Sequence, residues 1–157
     1  CVDLSVGEGY EAAMAADIEL NFVAPVALCQ GFLAHLREQP RAAMVNVTTG
    51  LAYLPKAAYP FYCAAKTALH SYTQSLRWTL RHTPLEVIEV LMPLVDTAFH
   101  EGRLPQTTKA LTPAQAAGQA LRGIAASTAQ IHVGKAGILK WFAALAPAKG
   151  LAVLNKD

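Results

Sequence analysis

Two side chains with complementary acid–base chemistry stand four residues apart near the middle of the sequence. Tyr62 and Lys66 are separated by CAA, and on a helix this spacing puts both side chains on one face. A phenol has an ordinary pKa near ~10, so it exchanges protons slowly at neutral pH unless a nearby positive charge stabilises its phenolate. Lys66 could supply that charge. Taken alone, the pair is more often a packed ring beside a solvated lysine, so its surroundings decide the interpretation.

Further polar positions fall where they could meet this pair. Thr49 lies thirteen residues before the tyrosine, at the C-terminal end of a predicted strand, and residues 93–97 (PLVDT) follow the end of the next predicted strand. Open parallel sheets bind their ligands at that end of the strands. Asn21 lies beside Pro25 in an apolar stretch, where a polar side chain needs a partner. For Asn21 and Thr97, the alternative is that they only satisfy local backbone groups.

The hydrophobic pattern predicts the elements that must position these residues. Apolar residues at three- and four-residue spacing indicate helices, and short runs of branched residues indicate buried strands. Pro25 is expected to bend or locally break the first helix, and Thr112, Pro113 and Gln115 predict a capped helix start. Alternation of this kind indicates an α/β fold, a parallel sheet with helices on both faces. The predicted order is helix 8–39, strand 42–47, helix 61–81, strand 85–92, helix 112–126, strand 131–133 and a final helix 138–145.

Composition favours one soluble domain. The chain has 157 residues, 54% of them hydrophobic and 15% charged, which fits a single compact domain over 1–157. The net charge is +2 and the basic residues are scattered, which argues against nucleic-acid binding. Polar or charged residues interrupt every apolar stretch, so no run of roughly 18 to 20 residues predicts a membrane span.

The cysteines and histidines predict no metal site. Cys1, Cys29 and Cys63 show neither the paired spacing of a zinc site nor the density of a disulfide framework, so we expect a reducing, cytoplasmic setting. None of the five histidines forms a recognised ligand pair. Packed or solvated roles are expected for them, and no metal is assigned.

The segments around these residues resemble the short-chain dehydrogenase/reductase family. The similar segments are 21–25 (NFVAP), 45–50 (VNVTTG), 62–66 (YCAAK) and 93–97 (PLVDT), and their order and spacing agree with the family. The run 62–77 looks particularly like the branch named for its association with the D-alanylation operon, a label that predicts no substrate. The resemblance extends over most of the chain and implies a partial Rossmann-like, doubly wound parallel sheet.

The resemblance also implies a reaction and roles for the residues. The reaction would be hydride transfer between NAD or NADP and a small carbonyl or alcohol substrate. Tyr62 would be the general acid or base, and Lys66 would lower its pKa and bind the nicotinamide ribose. Thr49 would orient the substrate oxygen in the position usually held by serine, and Asn21 would take part in a water-linked proton relay.

The loop after the second predicted strand would form the nicotinamide side of the pocket. By the same similarity, Pro93, Val95 and Thr97 would line it. Two departures from the family pattern bear on the site. Leu94 replaces a usual glycine, which makes this segment a less secure match, and Thr49 adds a methyl group that narrows the pocket while keeping the hydroxyl.

Nothing in the sequence matches the glycine-rich half of the family. That half begins with a strand, a glycine-rich turn and a helix whose N-terminus binds the pyrophosphate, and this chain opens at Cys1 without them. We therefore expect a C-terminal fragment, with the strand from Met44 to Val47 left as an unpaired apolar edge that invites association. The chain alone is expected to bind no dinucleotide tightly and to be inactive, and the choice between NAD and NADP lies outside it.

A second function stays open from the sequence, and a third is disfavoured. The chain could be a non-catalytic assembly module or pseudoenzyme, because the family pairs helices corresponding to 8–39 and 61–81 across a twofold axis in homodimers or homotetramers. Charged substitutions at Leu76 or Trp78 would test that interface. A nucleotide-sugar epimerase or dehydratase shares the Tyr and Lys motif but normally needs a larger C-terminal substrate region.

Overall fold

A sheet of three parallel strands, with helices packed on both faces, forms the centre of the computed structural model. The structure describes residues 9–97 and 110–156. This architecture confirms the predicted α/β, Rossmann-like class. The elements are, in chain order, α1 (Tyr10–Ile18), a π-helical turn (Glu19–Val23), α2 (Ala24–Arg37), β1 (Ala42–Thr49), a 3₁₀ turn (Gly50–Ala52), α3 (Pro60–Thr79), β2 (Leu85–Met92), α4 (Pro113–Ala125), β3 (Gln130–His132), α5 (Ala136–Leu145) and α6 (Pro147–Leu154).

The strands pair in the order β1-β2-β3. β1 is aligned along the whole of β2, and Thr49 stands opposite Met92, so these two strands end at the same level. Within the described ranges β1 has no second neighbour. Its Val45 and Val47 side chains are 36% and 47% exposed, which agrees with the expected apolar edge.

Each face of the sheet is covered by its own apolar core. α2 and α3 cover one face, where Met44, Leu76 and Val87 are buried together. α4 covers the other face, where Val90 and Ala120 are buried. Full burial of an aliphatic side chain stabilises a fold by about 1.5–3 kcal/mol. Because both faces of β2 are covered, its sequence is apolar almost throughout.

Local chemistry sets the start of α4 where the sequence predicted it. The Thr112 hydroxyl accepts from the Gln115 N–H at 3.3 Å, and the Gln115 side-chain oxygen accepts from the Thr112 N–H at 3.1 Å. Pro113 occupies the first turn, where its missing N–H is not needed. The predicted capping box is therefore confirmed.

Two elements were missed by the sequence analysis. The 3₁₀ turn continues directly from β1, which runs two residues further than predicted, to Thr49. α6 follows α5, so the predicted helix over 138–145 is not the last one. Ala146 is extended, with φ −152°, and separates the two helices, after which Pro147 begins a new first turn.

The first helical segments run on as one continuous helix. Tyr10–Arg37 spans 28 residues and contains an 18-residue window with a mean hydropathy of 1.5, so it is long and apolar enough to cross a membrane by length and composition. The sequence analysis found no run of that length, because polar residues interrupt the apolar stretches. A single helix of this kind is weak evidence for a span, since core helices and signal sequences pass the same test. Here the helix packs against α3 and β1.

Candidate active site

The phenol of Tyr62 lies in the first turn of α3, at the end of the sheet where β1 and β2 terminate. Burial raises the pKa of Tyr62, and the neighbouring Cys63 acts in the same direction, whereas a hydrogen bond with Thr49 lowers it. The net shift is upward. At neutral pH the phenol therefore carries its proton and is a proton donor.

The Thr49 hydroxyl is held by backbone groups on two sides. Its Oγ1 donates to the carbonyl oxygen of Met92 at 3.2 Å and accepts from the N–H of Leu51 at 3.3 Å. The second bond makes Thr49 the cap of the 3₁₀ turn. Thr49 is also near enough to Tyr62 to lower the pKa of the phenol, so the structure brings these two predicted site residues together.

Lys66 follows Tyr62 by one helical turn, and its ammonium binds the edge strand. Its Nζ donates to the carbonyl oxygen of Val47 at 3.1 Å. Burial lowers the pKa of Lys66. The expected lowering of the phenol's pKa by Lys66 stays a prediction, because the net shift at Tyr62 is upward in this chain.

The π-helical turn surrounds Asn21. Pro25 has no N–H to donate to the carbonyl of Asn21 four residues earlier, and the helix widens just ahead of it. The irregularity predicted at Pro25 is therefore confirmed. The Asn21 Nδ2 donates to Asp17 Oδ1 at 3.4 Å, and Asp17 is near enough to Tyr62 to raise its pKa. The turn packs against α3, which puts Asn21 on the helix beside the one that carries the phenol.

The segment after β2 is anchored by short pairing with the start of α4. Val95 forms a parallel bridge with Leu111, in which Leu111 donates its N–H to Leu94 at 3.2 Å and accepts from Asp96 at 2.9 Å. Pro93 directly follows Met92, the residue bound by Thr49, so this segment starts at the site. Thr97 is exposed.

Leu94 fits its position without backbone strain. Among the residues that the structure describes, Ser127 is the one non-glycine residue with a positive φ. Leu94 therefore does not need the left-handed conformation that favours glycine. The departure from the family pattern at this position therefore leaves the backbone conformation ordinary.

No group of three or more metal-ligating side chains occurs in residues 9–97 and 110–156. His70 and His132, two of the histidines considered as metal ligands from the sequence, both form hydrogen bonds with other side chains.

Comparison with known sequences decides the family. Residues 5–108 match the short chain dehydrogenase family. The chain belongs to that family. The oxidoreductase DltE of Bacillus subtilis, itself uncharacterized, is 55% identical to this dehydrogenase chain over 85 residues, which cover 54% of the chain and 34% of DltE. An uncharacterized oxidoreductase of Staphylococcus aureus strain N315 is 27% identical over 96 residues, 61% of the chain and 42% of that protein.

Solved structures show the same fold. A short chain dehydrogenase from Burkholderia cenocepacia in complex with NADP superposes with a TM-score of 0.84 at 22% identity, covering 96% of this short-chain dehydrogenase chain and 65% of that one. A short-chain dehydrogenase from Sphingobium yanoikuyae in complex with NADPH gives a TM-score of 0.70 at 20% identity, covering 87% and 54%. The chain thus spans about a third to two thirds of the length of these relatives.

A buried carboxylate in β2, the strand that ends at the candidate site, was not identified from the sequence. Glu89, in the middle of β2, is fully buried. Its Oε1 accepts from the Thr48 hydroxyl at 2.6 Å and from His70 Nδ1 at 2.7 Å, and its Oε2 accepts from Gln130 at 3.1 Å. Burial pushes the pKa of Glu89 upward, but these hydrogen bonds together outweigh it and leave the pKa below its usual value. The side chain is therefore an ionised hub of four elements.

Aromatic side chains cover this hub. The Tyr53 ring stands edge-on to His70 with centroids 5.1 Å apart, and its hydroxyl hydrogen-bonds His132 Nε2 at 3.1 Å. Burial, reinforced by the charge of Glu89, raises the pKa of Tyr53 to about 12. Tyr53 therefore stays protonated at neutral pH, and it covers the network on the side of the loop that leads to α3.

The C-terminal end of α6 and Asn155 hydrogen-bond to that same loop, at residues 55–57. Asn155 accepts from the N–H of Ala57 at 2.6 Å and donates to the carbonyl of Pro55 at 3.2 Å, and Lys56 donates to the carbonyl of Leu154 at 3.2 Å. α6 approaches so closely that a Cβ added at Gly150 would lie 2.6 Å from a methyl group of Leu54. The loop before Tyr62 is thus fixed by contacts that no local pattern predicts.

Proposed function

We propose that the protein carrying this chain transfers hydride between NAD or NADP and a small carbonyl or alcohol substrate, with Tyr62 as the general acid or base. The observation that supports this most directly is the nearness of the Tyr62 phenol to Thr49, which lowers the pKa of the phenol, at the C-terminal end of a parallel sheet. Family membership supports the reaction class. The relatives in complex with NADP and NADPH support a nicotinamide cofactor without deciding which one this protein uses.

In the proposed reduction, two hydroxyl groups hold the substrate oxygen. Thr49 is held by the N–H of Leu51, and when substrate is present its single O–H turns from the Met92 carbonyl to donate a hydrogen bond to the substrate carbonyl. Tyr62 donates its proton as negative charge develops on that oxygen. The nicotinamide, when bound, supplies or accepts the hydride. In the reverse direction the phenolate accepts the proton of the alcohol.

Lys66 and Asn21 serve the proton path in this proposal. When the ribose of a nicotinamide cofactor is present, the Lys66 ammonium has a second acceptor besides the Val47 carbonyl and lies one helical turn from the phenol. Its charge there favours the phenolate. The Asn21 carbonyl, which Pro25 cannot engage, is the acceptor that would hold a relay water. Pro93, Val95 and Thr97 would flank the nicotinamide.

The residues present fit the nicotinamide end of a dinucleotide only. The Thr49 hydroxyl binds the end of β2 at Met92, and the Lys66 ammonium binds the Val47 carbonyl of β1. An open groove of about 440 Å³ lies between α2 and β1 along the strand edge, and its lining includes Cys29, Val45 and Lys66. The sequence given holds no glycine-rich turn for the pyrophosphate.

The decisive experiment uses the protein expressed from its complete gene. Oxidation of NADH and of NADPH is followed by nicotinamide absorbance with a panel of aldehydes and ketones, and the reverse reaction with the matching alcohols. We expect cofactor-dependent turnover with at least one of the two cofactors. Tight cofactor binding without any turnover would instead support a pseudoenzyme. The absence of both cofactor binding and turnover would contradict the proposal.

The 157-residue stretch by itself is proposed to be inactive. Titration calorimetry with NADH and NADPH should give no saturable heat, because the groups that bind pyrophosphate at a helix N-terminus are not part of this sequence. The complete protein is the positive control. Saturable, tight binding by the short chain would contradict this expectation.

Replacing Thr49 by valine should lower kcat for carbonyl reduction by about 10²-fold, because one of two donors to the substrate oxygen is lost while the shape is kept. Thr49→Ser is the matched control, since it keeps the hydroxyl that bonds Met92 and Leu51. Steady-state kinetics of the complete protein measures both variants. Equal kcat values for the serine and valine variants would exclude Thr49 as a hydrogen-bond donor to the substrate oxygen.

We further propose a homo-oligomer built through the two long helices, α1–α2 and α3. Leu28, Phe32 and Trp78 on these helices are 61%, 57% and 70% exposed. Trp78→Glu should lower the oligomeric mass measured by light scattering, with Trp78→Phe as control. An unchanged oligomeric mass would exclude this face as the interface between subunits. Leu76 is unsuitable for the same test, because it is 7% exposed and belongs to the core under α3.

A cytoplasmic location is part of the proposal. Cys29 and Cys63 are buried free thiols, which suits a reducing compartment. Cell fractionation with an antibody against the protein tests the location. Recovery in a membrane fraction would contradict it and would direct attention to the helix Tyr10–Arg37.

A further inference from the structure

Helix α3 carries a third functional position in register with the proposed pair. Tyr62, Lys66 and His70 follow one another at four-residue steps and so lie along one stripe of the helix. The side chain of His70 is only 12% exposed, and its Nδ1 lies 2.7 Å from the Glu89 carboxylate. An ionised carboxylate only accepts, so Nδ1 carries the proton and donates it.

The same carboxylate oxygen binds the strand that ends in the catalytic threonine. Thr48 donates to Glu89 Oε1 at 2.6 Å, and Thr48 is the residue directly before Thr49. One oxygen therefore receives a donor from the helix that carries Tyr62 and a donor from the strand that carries Thr49. Short hydrogen bonds to a buried charge are stronger than neutral ones. They fix the helix and the strand relative to each other at the level of the site.

We propose that His70 is a positioning residue which, through Glu89 and Thr48, sets the distance between the Tyr62 and Thr49 hydroxyl groups. The proposal rests on the proposed dehydrogenase function, because that distance matters only if both hydroxyls bind one substrate oxygen. It adds a residue that touches neither substrate nor cofactor. Side chains that orient reacting groups in this way change rates by about 10- to 100-fold when they are removed.

The test compares four forms of the complete protein. His70→Leu removes the donor, and we expect kcat to fall about 10- to 100-fold with an unchanged KM for the cofactor. His70→Asn is the rescue variant, because its Nδ2 replaces Nδ1, and it should recover most of kcat. Thr73→Val is the stability control. It removes another buried bond between α3 and β1, from Asn46 to Thr73 at 2.9 Å, three turns from the phenol, and should lower thermal stability while kcat stays the same.

A structural measurement separates this proposal from the proposed function. In a crystal structure of His70→Leu we expect the Tyr62 and Thr49 hydroxyl groups to lie further apart than in the wild type. An unchanged separation would overturn the positioning role even if the wild type proves to have no dehydrogenase activity. Equal loss of kcat in Thr73→Val, or no rescue by His70→Asn, would overturn it as well. If His70→Leu does not fold, Thr48→Val removes the other donor to the same oxygen and carries the same expectations.

Discussion

Replacing Tyr62 by phenylalanine should lower kcat for carbonyl reduction by about 10²- to 10⁴-fold, the range that general acid–base groups contribute. The phenol is the proton donor to the substrate oxygen in the proposed mechanism, and the ring that remains keeps the packing of the first turn of α3. Cofactor binding should be affected far less than kcat. Steady-state kinetics and a fluorescence titration of the reduced cofactor measure the two effects separately.

The matched control for this change lies on the same helix. Tyr72→Phe removes a phenol oxygen that accepts from Gln30 at 2.8 Å, away from the site, and should leave kcat unchanged. The pH dependence supplies a second check. Because the pKa of Tyr62 is raised by burial, reduction should persist through neutral pH and fall as the phenol ionises, whereas alcohol oxidation should rise over the same range. Equal kcat in both phenylalanine variants would exclude Tyr62 as the acid.

Replacing Glu89 by alanine should destabilise the fold by about 3–5 kcal/mol. The change removes the acceptor of one buried donor, Thr48, and of two partly buried donors, His70 and Gln130, and leaves a cavity at the centre of the sheet. The loss is large because the Thr48 hydroxyl stays desolvated without a partner and the other two donors lose theirs in a largely buried setting. Urea unfolding of the complete protein, monitored by circular dichroism, measures the difference.

Glu89→Gln is the matched control, since it keeps the size and one acceptor oxygen, and it should cost clearly less than alanine. The sign of the pH effect follows from the lowered pKa of Glu89. A carboxyl whose pKa is lower in the folded state stabilises the fold above its usual value of 4.5, and this contribution disappears as the pH falls through the lowered value. The glutamine variant should therefore lose part of the acid sensitivity of the wild type. Equal stability of the alanine and glutamine variants would contradict the role of Glu89 as the acceptor that stabilises the fold.

The positions of Tyr62, Lys66 and Thr49 on the helix and at the strand end could be predicted from short local sequence patterns. The spacing of Tyr62 and Lys66 on a helix, and the hydroxyl of Thr49 at a strand end, follow from helical and strand periodicity alone. The π turn was predictable as an irregularity, since Pro25 removes a donor wherever it stands in a helix. Whether the helix kinks, breaks or forms a π turn depends on its packing against α3, and the sequence pattern does not predict that packing.

The buried hub could not be predicted in the same way. The strand LEVIEVLM carries Glu86 and Glu89, and nothing local indicates that the first is half-exposed and the second fully buried. The difference arises from partners 19 and 41 residues away, His70 and Thr48 on one side and Gln130 on the other. A charged residue inside an apolar strand was the available signal, because such a charge must be paired if it is buried.

The hydrogen bonds between Asn155 and the loop before Tyr62 affect the order in which the protein folds during synthesis. The two partners are separated by about 100 residues of sequence, so during synthesis the loop leaves the ribosome long before the residue that fastens it exists. Contacts between such distant residues are slow to form, because a long segment must close first. The sheet and α3 can therefore assemble while translation continues, and the loop before Tyr62 is fixed only after α6 and Asn155 have been synthesised.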